Sequence, residues 1–253
     1  MKRGYCNIHI IGNPKGKKIL LIHGMGFYWY KCFSSIINEL KEKYCLLIPE
    51  LKGHAPNCKE HINSVYESAI EIERELKYED IEEIDLVYGI SLGAAIALEI
   101  AIRNNITLNK LILDGGQYKS IGDKKFEYAE IISKEFEKIT KGNHMNSIVQ
   151  QQMGYLKNND IEVLKPLMYL DISVTSLYKA ALSAYSYDIK HVNKKLNIDI
   201  VVIFGGNEIY AKESVNYIKD ICSKPLIIYQ YDNMGHSEVL SKCPYEICKL
   251  IDI

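Results

Sequence analysis

Short β-rich runs alternate with helical stretches along this chain, and that alternation constrains the fold more than any single motif. "YCNIHII", "KILLIHG", "YCLLIPE", "IDLVYG" and "LNKLILDGG" read as strands, and helices are expected near Phe33 to Lys43, Ser64 to Lys77 and Leu92 to about Asn104. Strands joined through helices return by crossover connections, so the pattern implies a mainly parallel sheet covered by helices on both faces. At 253 residues the chain is long enough for one sizeable core of this kind.

From Gln117 to Lys190 the alternation stops, leaving only helical runs such as "FEYAEIISKEFEKIT" and "VTSLYKAALSAYSYDI". It resumes with "IDIVVIFGG", a helix near Lys212 to Ile221, "PLIIYQYDNMGH" and a final helix from about Pro244. We therefore expect a core made of residues 1–116 and 191–253, with residues 117–190 inserted as a helical cap over the sheet's carboxyl edge. That edge is where open α/β sheets bind ligands. The insertion carries ten lysines and nine acids, so it advertises neither an anionic nor a cationic substrate. Its tyrosines and Met145, Met153 and Met168 read either as the lining of an apolar pocket or as ordinary core at helical spacing.

Charge excludes some functions. Lys plus Arg is 31 against Asp plus Glu 32, a net charge of -1, which gives no sign of a nucleic-acid groove or a basic membrane face. A small-molecule substrate is the expected partner, and no pattern specifies an oligomeric state. Hydrophobic residues make up 47% and charged residues 25%, with no apolar run of the roughly 18 residues that suggest a membrane span. Asn7, His9, Asn13 and Pro14 break up anything like a signal-peptide stretch, so a cytoplasmic protein is expected. The seven cysteines (6, 32, 45, 58, 222, 243 and 248) are scattered without a CxxC pair, which suits reduced, mostly buried thiols rather than disulfides or a zinc site.

The chemistry centres on Gly89-Ile90-Ser91-Leu92-Gly93, a G-x-S-x-G with a strand before it and a helix after it. A nucleophilic serine in this motif projects from a sharp, strained turn, and its glycines let neighbouring backbone approach closely. The hydroxyl needs a base oriented by a carboxylate. His236, in a Gly-containing loop after the last expected strand, is the candidate base. Glu208, just past the preceding strand, is the favoured acid, with Asp114 at the end of "KLILDGG" and Asp232 as rivals. The order Ser91, Glu208, His236 is nucleophile, acid, base. An oxyanion would take the backbone N–H of Leu92 and, from the turn His23-Gly24-Met25-Gly26, that of Met25, with His23 bracing the loop. The same turn lacks the G-x-G-x-x-G spacing of a dinucleotide site. Trp29 and the run "FYWY" read either as contacts to an acyl group or as anchors of the loop and first helix.

Taken in order, His23-Gly24-Met25-Gly26, "ELKGHAPN" from Glu50 to Asn57, Gly89 to Gly93 and Gly235-His236 resemble the α/β-hydrolase superfamily over essentially the whole chain. The likeness is greatest to small cap-bearing members, which include carboxylesterases, lipase-like enzymes and thioester-handling or C–C bond-cleaving hydrolases. The chain departs from the family pattern in offering Glu208 where Asp is usual and in "GHAPN" where Gly-His-Gly is usual. Only one strand precedes "KKILLIHG", so the usual antiparallel first strand is expected to be missing, leaving about seven. The resemblance implies a serine hydrolase acting on a small acyl ester, thioester or related carbonyl compound, with no metal or organic cofactor. The alternatives are a lyase or C–C bond hydrolase using the same triad, and a hydrolase-fold binding or sensor protein with little turnover.

Overall fold

The computed structural model describes residues 7–56 and 58–252. Cys6 and the start of the first expected strand, and Asn57 of the "GHAPN" loop, lie outside the described residues. Seven strands form one sheet: β1 (Ile8–Gly12), β2 (Lys18–Ile22), β3 (Cys45–Pro49), β4 (Glu83–Ile90), β5 (Thr107–Asp114), β6 (Asp199–Gly205) and β7 (Ile227–Tyr231). Their order is β1-β3-β2-β4-β5-β6-β7. All neighbours are parallel except β1, which runs antiparallel to β3. Among the described residues, the one strand before β2 is thus itself the antiparallel edge.

Helices α1 (Trp29–Leu40), α2 (Val65–Tyr78) and α3 (Leu92–Arg103) fill the early crossovers. Between β5 and β6 lie α4 (Lys125–Thr140), α5 (Ser147–Gln152), α6 (Asp160–Leu164) and α7 (Val174–Ser186). The chain closes with α8 (Ile209–Ile221), the short α9 (Glu238–Lys242) and α10 (Pro244–Ile251). No helix of the described residues is long and apolar enough to cross a membrane.

The central strands are continuous apolar runs because both of their faces are covered, the composition that parallel sheets require. Ile19, Leu20, Leu21 and Ile22 of β2 and Leu86, Val87 and Tyr88 of β4 are fully buried. Burying a side chain of this size contributes roughly 1.5–3 kcal/mol, so these two strands form the stable centre of the sheet. The register has a functional consequence. Ile22 pairs with Gly89, Ile90 with Asp114, and Asp114 with Ile203, so His23, Ser91 and Gly115 leave their strands side by side at one edge.

Two helices begin earlier than expected, α1 at Trp29 instead of near Phe33 and α8 at Ile209 instead of near Lys212. Neither N-cap, Tyr28 or Glu208, makes a side-chain capping bond, so the residue types that mark a helix start are missing from both. The six described cysteines are free, with Cys32, Cys45, Cys222 and Cys248 buried.

Candidate active site

Ser91 sits between β4 and α3 with φ 56° and ψ -120°. A non-glycine residue held there costs on the order of 1–3 kcal/mol and persists only where its surroundings enforce it. Here the Ser91 N–H donates to the Asp114 carbonyl at 2.7 Å, and the N–H of Ala94 donates back to the Ser91 carbonyl at 3.0 Å. The flanking glycines are needed for packing. A Cβ on Gly93 would lie 2.1 Å from the Ile22 carbonyl oxygen, and one on Gly89 would lie 2.3 Å from the Gly93 carbonyl oxygen. The turn is therefore wedged between two strands and presents its hydroxyl at the sheet edge.

His236 follows β7 and meets that hydroxyl. Its Nε2 lies 3.0 Å from Ser91 Oγ, and its Nδ1 lies 2.7 Å from Glu208 Oε2. Glu208 is buried, and its other oxygen, Oε1, accepts the Gly205 N–H at 2.7 Å. The loop carrying His236 is held from the segment between β5 and β6. His236 N–H donates to the Met153 carbonyl at 2.8 Å, and the Tyr155 hydroxyl donates to the His236 carbonyl at 2.7 Å. Gly154 and Gly235 pack so closely that a Cβ on Gly235 would lie 2.8 Å from the Gly154 carbonyl oxygen.

The other two carboxylates bond to other groups. Asp114 is buried and takes the Tyr88 hydroxyl at 2.8 Å. Burial, then the nearby Glu208 charge, pushes its carboxyl up to about 7. Asp232 accepts the Gln230 side-chain amide at 2.9 Å.

The remaining histidines have other partners. His23 is fully buried, with Nδ1 3.0 Å from the Gly24 carbonyl and Nε2 accepting the Leu51 N–H at 3.3 Å. Burial, with His54 next to it, lowers its pKa to about 3. His54 bonds the Lys52 carbonyl at 2.8 Å, and burial lowers it to about 4. His9 stacks on Trp29, His61 bonds Ser176, His144 pairs with Asp160 and His191 bonds the Asp188 carbonyl.

A cavity of about 600 Å³ opens over Ser91 and His236. Met25 and Leu92 line it beside Ser91, together with Ala95, Ile132, Phe136 and Ala181. Phe136 belongs to α4 and reaches the β2 loop, where a Cβ on Gly26 would lie 3.3 Å from its ring. Gln117, Ser120, Gln152, Tyr210, Ser214 and Tyr217 line the cavity as well. Of the three methionines, Met153 lines the cavity and Met145 and Met168 are buried in the core. The aromatic run turns away. Phe27 is buried and forms an isolated bridge with Met168, and the Trp29 indole N–H donates to Glu50 at 3.0 Å.

Sequence reasoning missed Tyr210, whose hydroxyl lies 2.9 Å from Glu208 Oε2 and 2.6 Å from His236 Nδ1. It also missed the Met153-Gly154-Tyr155 clamp. The first had no signal beyond a spacing of two from Glu208, and the second belongs to a segment far away in sequence. Among the described residues, no group of three or more His, Cys, Asp or Glu is arranged to hold a metal ion.

No family model matches the chain, and no curated protein matches it. Among solved structures it is similar to a lipase-esterase related protein from Clostridium acetobutylicum, with 19% identity, a TM-score of 0.74 and 98% of each chain covered. It is also similar to a thermophilic esterase from Thermogutta terrifontis, with 17% identity, a TM-score of 0.73, and 97% of this chain and 91% of that one covered. At these identities the likeness concerns the fold. An alpha/beta hydrolase family protein from Desulfitobacterium hafniense is 44% identical over 97% of this chain and 98% of its own, with a TM-score of 0.94. With a seven-stranded, mostly parallel sheet and a relative of that identity over nearly its full length, the chain belongs to the alpha/beta hydrolase family.

Proposed function

We propose that this hydrolase cleaves small acyl esters or thioesters through Ser91, His236 and Glu208. The observation that carries the reading is the hydrogen-bonded line from Ser91 Oγ to His236 Nε2 at 3.0 Å and from His236 Nδ1 to Glu208 Oε2 at 2.7 Å. Ser91 Oγ attacks the acyl carbon as its proton passes to Nε2. The backbone N–H groups of Met25 and Leu92 stabilise the negative oxygen of the tetrahedral intermediate. The C–O or C–S bond to the leaving group then breaks, and that group takes the proton from Nε2. Water, deprotonated by the same imidazole, cleaves the acyl–serine ester and restores Ser91. Each of these steps uses groups of the chain itself. The free cysteines support the cytoplasmic setting expected from the sequence.

The lining supports a small substrate that is largely apolar and carries a polar group. Gln117, Ser120, Gln152 and Ser214 on the cavity wall can hydrogen-bond a polar group of the substrate. Ala95, Ile132, Phe136 and Ala181 offer hydrocarbon to its apolar part. We take residues 117–190 as a cap, since α4, α5 and α7 supply cavity lining and Met153 and Tyr155 hold the His236 loop.

Intact-mass measurement after treatment with a small fluorophosphonate tests the reading on the native protein, Ser91→Ala and His236→Ala. A single adduct on the native protein, absent from both variants, is expected. An unlabelled native protein that still binds a short ester would overturn catalysis and leave a binding protein. In an ester panel, short esters that fit a cavity of about 600 Å³ should be hydrolysed faster than long-chain ones.

A further inference from the structure

We infer that Tyr210 is a positioning residue, one that fixes the Glu208 carboxylate against His236 and sets the tautomer of that imidazole. The inference rests on the triad reading above. It begins with a counting problem. The Tyr210 oxygen lies 2.9 Å from Glu208 Oε2 and 2.6 Å from His236 Nδ1, while those two atoms are themselves 2.7 Å apart. Three polar atoms thus form a closed triangle, and a phenol brings one proton to it.

With the imidazole neutral and Glu208 ionised, only one arrangement of protons leaves no pair of acceptors facing each other. If the phenol donated to Nδ1, the imidazole would be protonated on Nε2. The lone pair of Nδ1 would then be used by the phenol, and Glu208 Oε2 would face two atoms with no proton to offer it. If the phenol donates to Glu208 Oε2, the imidazole carries its proton on Nδ1 and shares it with the carboxylate and the phenol oxygen. An ionised carboxylate accepts from both donors, so all three contacts are satisfied. The lone pair of Nε2 is then directed at Ser91 Oγ, the state in which the imidazole can take the serine proton. Burial, followed by the Glu208 charge and the bond to it, raises the Tyr210 phenol well above its ordinary value, so it stays a donor.

The arrangement also accounts for glutamate at this position. Glu208 has one more rotatable bond than aspartate and more orientations to lose. Gly205 N–H holds Oε1 at 2.7 Å, and Tyr210 holds Oε2 at 2.9 Å beside His236 Nδ1. Tyr210 lies in the first turn of α8, two residues after Glu208 at the N-cap, so one short segment supplies both the acid and its brace.

The test is a double-mutant cycle with Tyr210→Phe and Glu208→Gln, read by the rate of fluorophosphonate labelling and by kcat and KM on a short ester. Removing one charge-assisted hydrogen bond should lower kcat about 10-fold and leave KM within about 2-fold. In the Glu208→Gln background the same substitution should cost less than about 2-fold, because the group it acts through is gone. Independent, multiplying losses, or a loss confined to KM, would overturn the inference and make Tyr210 a substrate contact. A second readout needs no turnover. The low-field proton resonance of His236 Nδ1–H should shift in Tyr210→Phe, and an unmoved resonance would overturn the inference as well. A native protein that fluorophosphonate does not label would count against the triad, whereas an unmoved resonance counts against Tyr210 alone.

Discussion

The loop after β2 and the loop after β7 look alike in sequence, each pairing a histidine with a glycine where a strand ends. In the structure both histidines are buried, His23 at 0% and His236 at 3% exposure. They differ in what faces the two ring nitrogens. His23 spends both on backbone, the Gly24 carbonyl and the Leu51 N–H, and its pKa is lowered to about 3. His236 has a carboxylate on one nitrogen and a hydroxyl on the other. Burial by itself therefore does not make a base. A buried imidazole can take up a proton when a negative charge supports the cation, and it becomes part of the scaffold when neutral backbone groups use both nitrogens. The scaffold role is still close to the chemistry, since a Cβ on Gly93 would lie 2.6 Å from the His23 carbonyl oxygen.

The largest effect tests this difference directly. His236→Gln should lower kcat/KM on a short ester by about 10⁴-fold or more, as loss of a triad base does elsewhere. His23→Gln should lower unfolding free energy by about 1–3 kcal/mol, the cost of disturbing a buried hydrogen-bonding group, with kcat/KM of the folded protein within about 10-fold. Denaturant titrations beside the kinetics separate the two. A dead but fully stable His23→Gln would break the comparison.

The same contrast applies to the carboxylates. Glu208 and Asp114 are both buried, but Glu208 meets His236 and Asp114 meets the Tyr88 hydroxyl. Glu208→Gln should lower kcat/KM by about 10²–10⁴-fold, and Asp114→Asn by less than about 10-fold. The kinetics of the two variants on one ester decide between them, and the reverse ranking would move the acid to Asp114.

The strands were legible because a parallel sheet demands long apolar runs, and β2, β4 and β6 are such runs. Ser91 was legible because its glycines answer to close backbone contacts that no other residue fits. The sites of failure share a cause. Helix α8 was placed three residues late because its N-cap, Glu208, directs its carboxylate back to Gly205 and His236 and makes no bond to cap the helix. Tyr210 went unnoticed for a related reason, since its contacts exist only once that first turn brings it back over Glu208. Met153 could not be told from Met145 and Met168 by periodicity, because none of the three lies within a helix and only the packing opens a cavity beside one of them.

The smallest effect concerns His54, the neighbour of His23, whose Nδ1 bonds the Lys52 carbonyl and whose Nε2 has no partner. Burial lowers its pKa from 6.5 to about 4. Between those values the unfolded chain binds a proton that the folded chain refuses, so stability falls as pH drops from 6.5 toward 4. His23 adds to this down to about 3. Asp114 works in the opposite sense. Its carboxyl is raised from 3.8 to about 7, so the folded chain holds a proton that the unfolded chain has lost, and this contribution to stability grows as pH falls through the same window. With two histidines against one aspartic acid, the three groups together destabilise the fold in acid. His54→Gln removes one proton's worth of that dependence, at most about 1.4 kcal/mol per pH unit. Urea titrations at pH 7.5, 6 and 5 should therefore show the native protein losing stability relative to the variant as pH falls, whatever the variant's absolute stability. Parallel pH profiles would mean that His54 takes up its proton in the folded protein as readily as in the unfolded chain, and that burial between neutral groups does not suppress it.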